Sequence, residues 1–156
     1  MKLEIVLTSV QQEAADSVLE CLAVSPVAVL SGARGAGKTA ILRSIHAARG
    51  GVFLSAHNFM SVRQSQGPAA IEEAFFRMME DAIEQTDLIL VDDLAVVADA
   101  ANRGGPGRSH LLDAALTALL AEARAMRRKV IFAVEQDIPW PIQRRAQVVQ
   151  VASLAD

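Results

Sequence analysis

Tyrosine is absent from the 156 residues, and tryptophan and cysteine each occur once. A single cysteine, Cys21, cannot close an internal disulfide, which excludes a disulfide scaffold and points to a reducing cytoplasm. It lies beside Val18, Leu19 and Leu22 in a helical stretch and reads as a small core residue rather than a reactive thiol. The histidines His46, His57 and His110 are far apart and lack metal-ligand spacing. An excess of either charge is also missing. A formal net charge of −3 gives no global electrostatic footprint for nucleic acid. Apolar runs are broken by charge short of the roughly 20 residues that span a bilayer. Even the segment 111–126 carries Asp113, Glu122 and Arg124. The start, Met1-Lys2-Leu3-Glu4, has neither a basic region nor a long apolar stretch, so no signal peptide is expected.

What is present is a complete G-x-x-x-x-G-K-[ST] pattern, Gly32-Ala33-Arg34-Gly35-Ala36-Gly37-Lys38-Thr39. The glycines let the backbone double back, so that several N–H groups converge on an anion. Lys38 supplies a positive charge for the β- and γ-phosphates, and the Thr39 hydroxyl is suited to ligate Mg²⁺. A helix starting here adds its positive dipole end, with Ala40 at the close of the nucleotide-binding stretch. The flanks agree: residues 26–31 read as a buried strand, and Ile41, Leu42 and Ile45 share one helical face. A Gly-rich turn that binds nothing is the alternative.

The rest of the chain alternates between strand and helix. Residues 11–22 have helical periodicity with Ser9 as N-cap, and 52–55 form a short strand after the Gly50-Gly51 stop. Residues 56–68 are polar and irregular. A helix is expected over 69–85, with Ile71, Phe75, Met78, Met79 and Ile83 inward, then a strand over 87–92. Residues 100–107 read as a loop, and Ser109 as the cap of a helix to about Arg127, with Leu112, Leu116, Leu119, Leu120 and Ala123 inward. Strands over 129–134 and 148–151 flank the interruption Pro139-Trp140-Pro141. Such alternation predicts an α/β fold, a three-layer αβα sandwich on a five-stranded parallel sheet. Residues 1–156 are expected to form one domain, with 1–23 as an N-terminal extension and 24–156 as its core.

Apolar residues 88–91 run into Asp92 and Asp93. Ligands bind at the carboxyl edge of open parallel sheets, so these acids fall where a phosphate loop needs a partner for its metal. Neighbouring strand residues point to opposite sides, which assigns Asp92 to the Mg²⁺ shell and Asp93 to polarising the attacking water.

With these motifs in this order, residues 24–156 resemble the AAA+ ATPases. Residues 69–93 look like that family's helix leading into its Walker B strand. Asn102-Arg103-Gly104 and residues 109–116 are similar to its Arg-containing loop and following helix, and residues 129–156 to its closing segment. The resemblance implies ATP as substrate and Walker roles for Lys38, Thr39 and Asp92. Asp93 stands where most members carry Glu, although replication-initiator and helicase-loader branches often share the Asp-Asp pair. The sensor position falls on Gln136, or on Glu135 if the register slips by one. Arg144 and Arg145 fall where the family places an arginine finger acting on a neighbouring subunit, with a solvated basic pair as the alternative. Arg103 and Arg108 are interface or substrate contacts, or parts of a solvated loop.

Two departures bear on activity. The stretch Val62-Arg63-Gln64-Ser65-Gln66-Gly67 lacks the aromatic of the family's pore loop, which argues against polypeptide threading. The family's helical lid is expected to be absent, since the chain stops at Asp156, either as a fragment of a longer protein or as a lidless form. Three functions follow: an ATPase coupling nucleotide state to remodelling of an oligomer or partner, an ATP-binding assembly module with little hydrolysis, and a small P-loop phosphotransferase. A homo-oligomer or further domains of a longer chain are the expected partners, with no membrane.

Overall fold

The computed structural model describes residues 6–33, 35–55, 71–92, 94, 97, 106–135 and 138–151. In chain order the elements are α1 (Ser9–Val24), β1 (Val27–Ser31), α2 (Lys38–Arg49), β2 (Val52–Leu54) and α3 (Ile71–Gln85). There follow β3 (Leu88–Val91), α4 (Pro106–Ala125), β4 (Lys129–Val134), α5 (Trp140–Gln143) and β5 (Gln147–Gln150).

The strands form one five-stranded sheet in the order β2-β3-β4-β1-β5, and every pairing is parallel. Side chains alternate across it, so each strand serves two cores. Val27 and Val29, Ile89 and Val91, and Val130, Phe132 and Val134 face one side. There they meet Phe75, Met79 and Ile83 of α3 and Leu112, Leu116, Leu119 and Leu120 of α4. Ala28 and Leu30, Leu90, and Ile131 and Ala133 face the other side. They meet Ala14, Ala15, Val18 and Leu22 of α1 and Ile41, Leu42 and Ile45 of α2. A layer of helices on each face makes the expected αβα sandwich. Among the inward residues expected on α3, Met78 is half-buried at the core's margin, and the side chain of Ile71 is outside the described residues.

Crossover handedness explains how the helices divide. The steps from β2 to β3 to β4 run across the sheet in one direction, and α3 and α4 lie on one face. The step from β1 to β2 runs the opposite way, and α2 lies on the opposite face, as a constant right-handed crossover requires.

Three local expectations change. The N-cap of α1 is Thr8 rather than Ser9: Thr8 and Gln11 form a reciprocal capping box, so Ser9 already lies within the helix. Helix α4 begins at Pro106, upstream of Ser109, because proline suits the first helical turn, where its missing N–H loses no bond. Residues 139–141 do not simply interrupt the chain; Pro139 caps the short α5 and Pro141 occupies its first turn. Cys21 is partly buried and packs beside the α1/α2 core. No described helix is long and apolar enough to cross a membrane.

Candidate functional site

Parallel strands bring their carboxyl ends to one edge, where Gly32, Asp92 and Glu135 directly follow β1, β3 and β4. The ladder continues one residue past each strand. The Gly32 N–H donates to the Val134 carbonyl (3.2 Å), and the Asp92 N–H to the Leu54 carbonyl (2.8 Å). From Gly32 the loop doubles back into α2. Gly35 and Gly37 have φ of +88° and +90°, a region costly for residues with a Cβ. Gly37 is the N-cap of α2 and offers no side-chain acceptor, so the first N–H groups of the helix are left for another acceptor.

Lys38 opens α2, and its ammonium reaches back over the loop to the carbonyls of Gly32 and, at 3.0 Å, Ala33. One residue on, the Thr39 hydroxyl donates to Asp92 Oδ2 at 2.7 Å, across 53 positions of sequence. Asp92 is 4% exposed, one of the few buried polar groups. A carboxylate buried at a strand end is retained only if it is well bonded, and the Thr39 bond fixes it against the loop. Two oxygen donors meeting beside a phosphate loop fit Mg²⁺. That ion takes one or two protein oxygens and completes its shell with water and phosphate rather than with a protein cage. No cluster of three or more His, Cys, Asp or Glu able to hold a metal occurs among the described residues.

The structure therefore brings together Gly32, Ala33, Gly35, Ala36, Gly37, Lys38, Thr39, Ala40 and Asp92. Arg34, Asp93, Gln136 and Arg103 lie outside the described residues, as does the side chain of Arg108. Arg144 and Arg145 sit at the opposite edge of the sheet. They precede β5, whose Gln147 pairs with Ala28 near the start of β1, and Ser25 Oγ ties the turn there by donating to the Arg145 carbonyl (3.2 Å). At a rise of about 3.3 Å per residue, β1 alone puts roughly 13 Å between that turn and the phosphate loop. Both arginines are exposed. The Arg144 guanidinium stacks 5.8 Å from the ring of Trp140, itself 48% exposed. Arg145 Nη1 donates to the Pro141 carbonyl at 2.9 Å.

Two contacts of the loop were not read from the sequence. Gly32 is pressed against Val151, whose carbonyl and Cβ would stand 3.0 and 3.2 Å from an added Cβ. Gly37 is covered by the side chain of Gln11 from α1. The Thr8-x-x-Gln11 spacing was the available signal, since threonine followed three residues later by glutamine marks a capping box.

The family model described as "ATPase family associated with various cellular activities (AAA)" matches residues 28–151. No curated protein matches the chain. Among solved structures, the chain is similar to a DNA replication initiation factor, with TM-score 0.61 and 16% identity over 94% of this chain and 47% of that one. It is also similar to AMPPCP-bound DnaA from Aquifex aeolicus (TM-score 0.58, 18% identity, 94% and 48% coverage). Domain III of the Thermotoga maritima replication initiation protein DnaA gives TM-score 0.58 and 15% identity, with 94% and 64% coverage. The chain spans about half the length of the first two of these structures. With the family model covering most of the sheet, the phosphate loop and the acid-ended strand, the chain belongs to the AAA family of ATPases.

Proposed function

We propose that this chain binds ATP with Mg²⁺ at the phosphate loop and hydrolyses it, and that hydrolysis is completed across a contact between two copies. The observation that carries the reading is the 2.7 Å bond from Thr39 to the buried Asp92, which joins loop and strand into one oxygen-donor pair. Residues 1–156 act as one unit in this reading, with α1 and the preceding residues as an extension that supports the loop.

Backbone N–H groups of the loop and of the first turn of α2 hold the phosphates, and Lys38 transfers its ammonium from loop carbonyls to the β- and γ-phosphates. Thr39 and Asp92 would hold Mg²⁺, which when bound neutralises charge on the β- and γ-phosphate oxygens. Asp93 orients the attacking water, and Gln136 contacts the γ-phosphate side of the site. An arginine from a neighbouring copy stabilises charge in the transition state, a contribution of roughly 10³–10⁵ in rate where it operates. The roughly 13 Å that β1 alone puts between the turn of Arg144 and Arg145 and the phosphate loop favours an arginine supplied by a second copy. Arg144 is the better finger, because Arg145 is bonded within its own turn.

Phosphate release measured over rising protein concentration tests the reading. Specific activity should climb with concentration, and Lys38→Ala and Arg144→Ala should each be inactive alone. Mixing the two should restore activity, because one retains the finger and the other the phosphate loop. Activity that is independent of concentration and unaffected by Arg144→Ala would overturn the contact between copies. Phosphate transfer only to an added acceptor would replace the ATPase by a phosphotransferase.

A further inference from the structure

Gln11 is buried, only 6% exposed, and its carboxamide is oriented. The Thr8 N–H donates to Gln11 Oε1 at 3.0 Å, while the Gln11 N–H donates to Thr8 Oγ1 at 3.2 Å. The first bond settles which end of the amide is oxygen, because only that atom can accept. Nε2 is thereby turned toward the phosphate loop. A Cβ added to Gly37 would fall on it and would stand 3.1 Å from Gln11 Cδ. Among the described residues Nε2 has no hydrogen-bond acceptor. Buried N–H donors are nearly always satisfied, and one left over is costly. Here it lies against the residue that caps α2, beside the part of the chain built to receive an anionic ligand rich in acceptors.

We propose that Gln11 is a nucleotide-contacting residue. Its Nε2 donates to a hydrogen-bond acceptor of the bound nucleoside triphosphate, so that the first turn of α1 is tied to occupancy of the loop. The inference rests on the phosphate loop being a nucleotide site. It adds a donor from outside the loop motif, and a route by which nucleotide reaches α1 and the core that α1 shares with β1 and α2. A phosphate oxygen and a base or ribose atom offer the same acceptor chemistry, and the choice of probe separates them.

The decisive variant is Gln11→Glu. A glutamate at this position of a capping box still accepts from the Thr8 N–H, so α1 keeps its cap, while the donor is replaced by a negative charge. Fluorescent ATP, ADP and inorganic tripolyphosphate are titrated into wild type, Gln11→Glu, Gln11→Met, Thr8→Ala and Lys38→Ala, with melting temperatures taken without ligand. Loss of one donor should weaken ATP binding about 3- to 10-fold in Gln11→Met, and further in Gln11→Glu, where charge repulsion is added. Thr8→Ala removes the hydroxyl but keeps the backbone N–H that orients Gln11. It should lower the melting temperature and leave ATP affinity within about twofold. An equal loss toward tripolyphosphate assigns the acceptor to a phosphate oxygen, and a loss confined to ATP and ADP assigns it to the base or ribose. ATP affinity unchanged in Gln11→Glu and Gln11→Met, with Lys38→Ala defective, would overturn the role of Gln11 alone. Wild type binding no better than Lys38→Ala would overturn the nucleotide site and this inference together.

Discussion

Two glycines of the phosphate loop have nearly the same backbone conformation and very different surroundings, which makes them a matched pair. Gly35 has φ +88° and Gly37 φ +90°. Holding an L-residue there costs about 1–2 kcal/mol at either site. A Cβ at position 35 meets nothing within 4 Å, so Gly35→Ala should lose only that amount. At position 37 the Cβ falls on the Gln11 carboxamide. Gly37→Ala must therefore expel Gln11 and break the capping box of α1, which adds roughly 1 kcal/mol or more. In a domain of this size 1 kcal/mol is worth about 2–4 °C in melting temperature. Gly35→Ala should thus melt about 2–8 °C below wild type, and Gly37→Ala several degrees lower still. Introducing Gln11→Ala into each variant completes the test. It should relieve part of the Gly37→Ala defect and none of the Gly35→Ala defect, measured by urea unfolding. Equal costs at the two positions, with no coupling to Gln11, would refute the packing of α1 on the loop.

Other consequences follow from single contacts. Arg128 Nε donates to the Ile83 carbonyl at 2.8 Å and Nη2 to the Glu84 carbonyl at 3.5 Å, closing the end of α3. Arg128→Ala should destabilise by about 1–2 kcal/mol in urea unfolding. Its ion-pair partner Asp87 is 91% exposed, so Asp87→Asn should change stability by less than about 0.5 kcal/mol. Phe132, in the centre of the sheet and 0% exposed, should cost about 3–5 kcal/mol when cut to alanine. Thr39→Ala removes the bond to Asp92, and should abolish the tightening of ATP binding by Mg²⁺ while leaving metal-free affinity within a few fold.

The parts of the fold legible in the sequence are those written as local repeats. Residues 27–30 and 88–91 are apolar without interruption because both faces of the sheet are covered, and the inward residues of α4 recur at helical spacing. The pairing of Asp92 with Thr39 was also readable, since the motif fixes one partner and the sheet edge the other. Tertiary choices were less visible. Gly104-Gly105-Pro106-Gly107 reads as a breaker, yet Pro106 starts a helix, because a proline's effect depends on which turn it enters. Gln11 looks like one polar residue among several on an amphipathic helix. The Thr8-x-x-Gln11 spacing marks its capping box, but its burial arises only when α1 lies across the loop, a tertiary approach that the spacing does not encode. The exposed Arg144 and Arg145 were found by position in the chain, and only the parallel register of β5 on β1 shows that they lie at the strand ends opposite the loop.

The nucleotide site is tested most directly by the affinity for ATP, with and without Mg²⁺, of wild type and Lys38→Ala. Loss of a charged donor to phosphate should weaken binding about 10-fold to 150-fold. Wild type should bind saturably and more tightly with Mg²⁺, and Lys38→Ala should bind more weakly by that factor while still unfolding cooperatively, its melting temperature lowered only by the loss of the bonds to the Gly32 and Ala33 carbonyls. Equal affinity in the two proteins, or no binding by wild type, would contradict it.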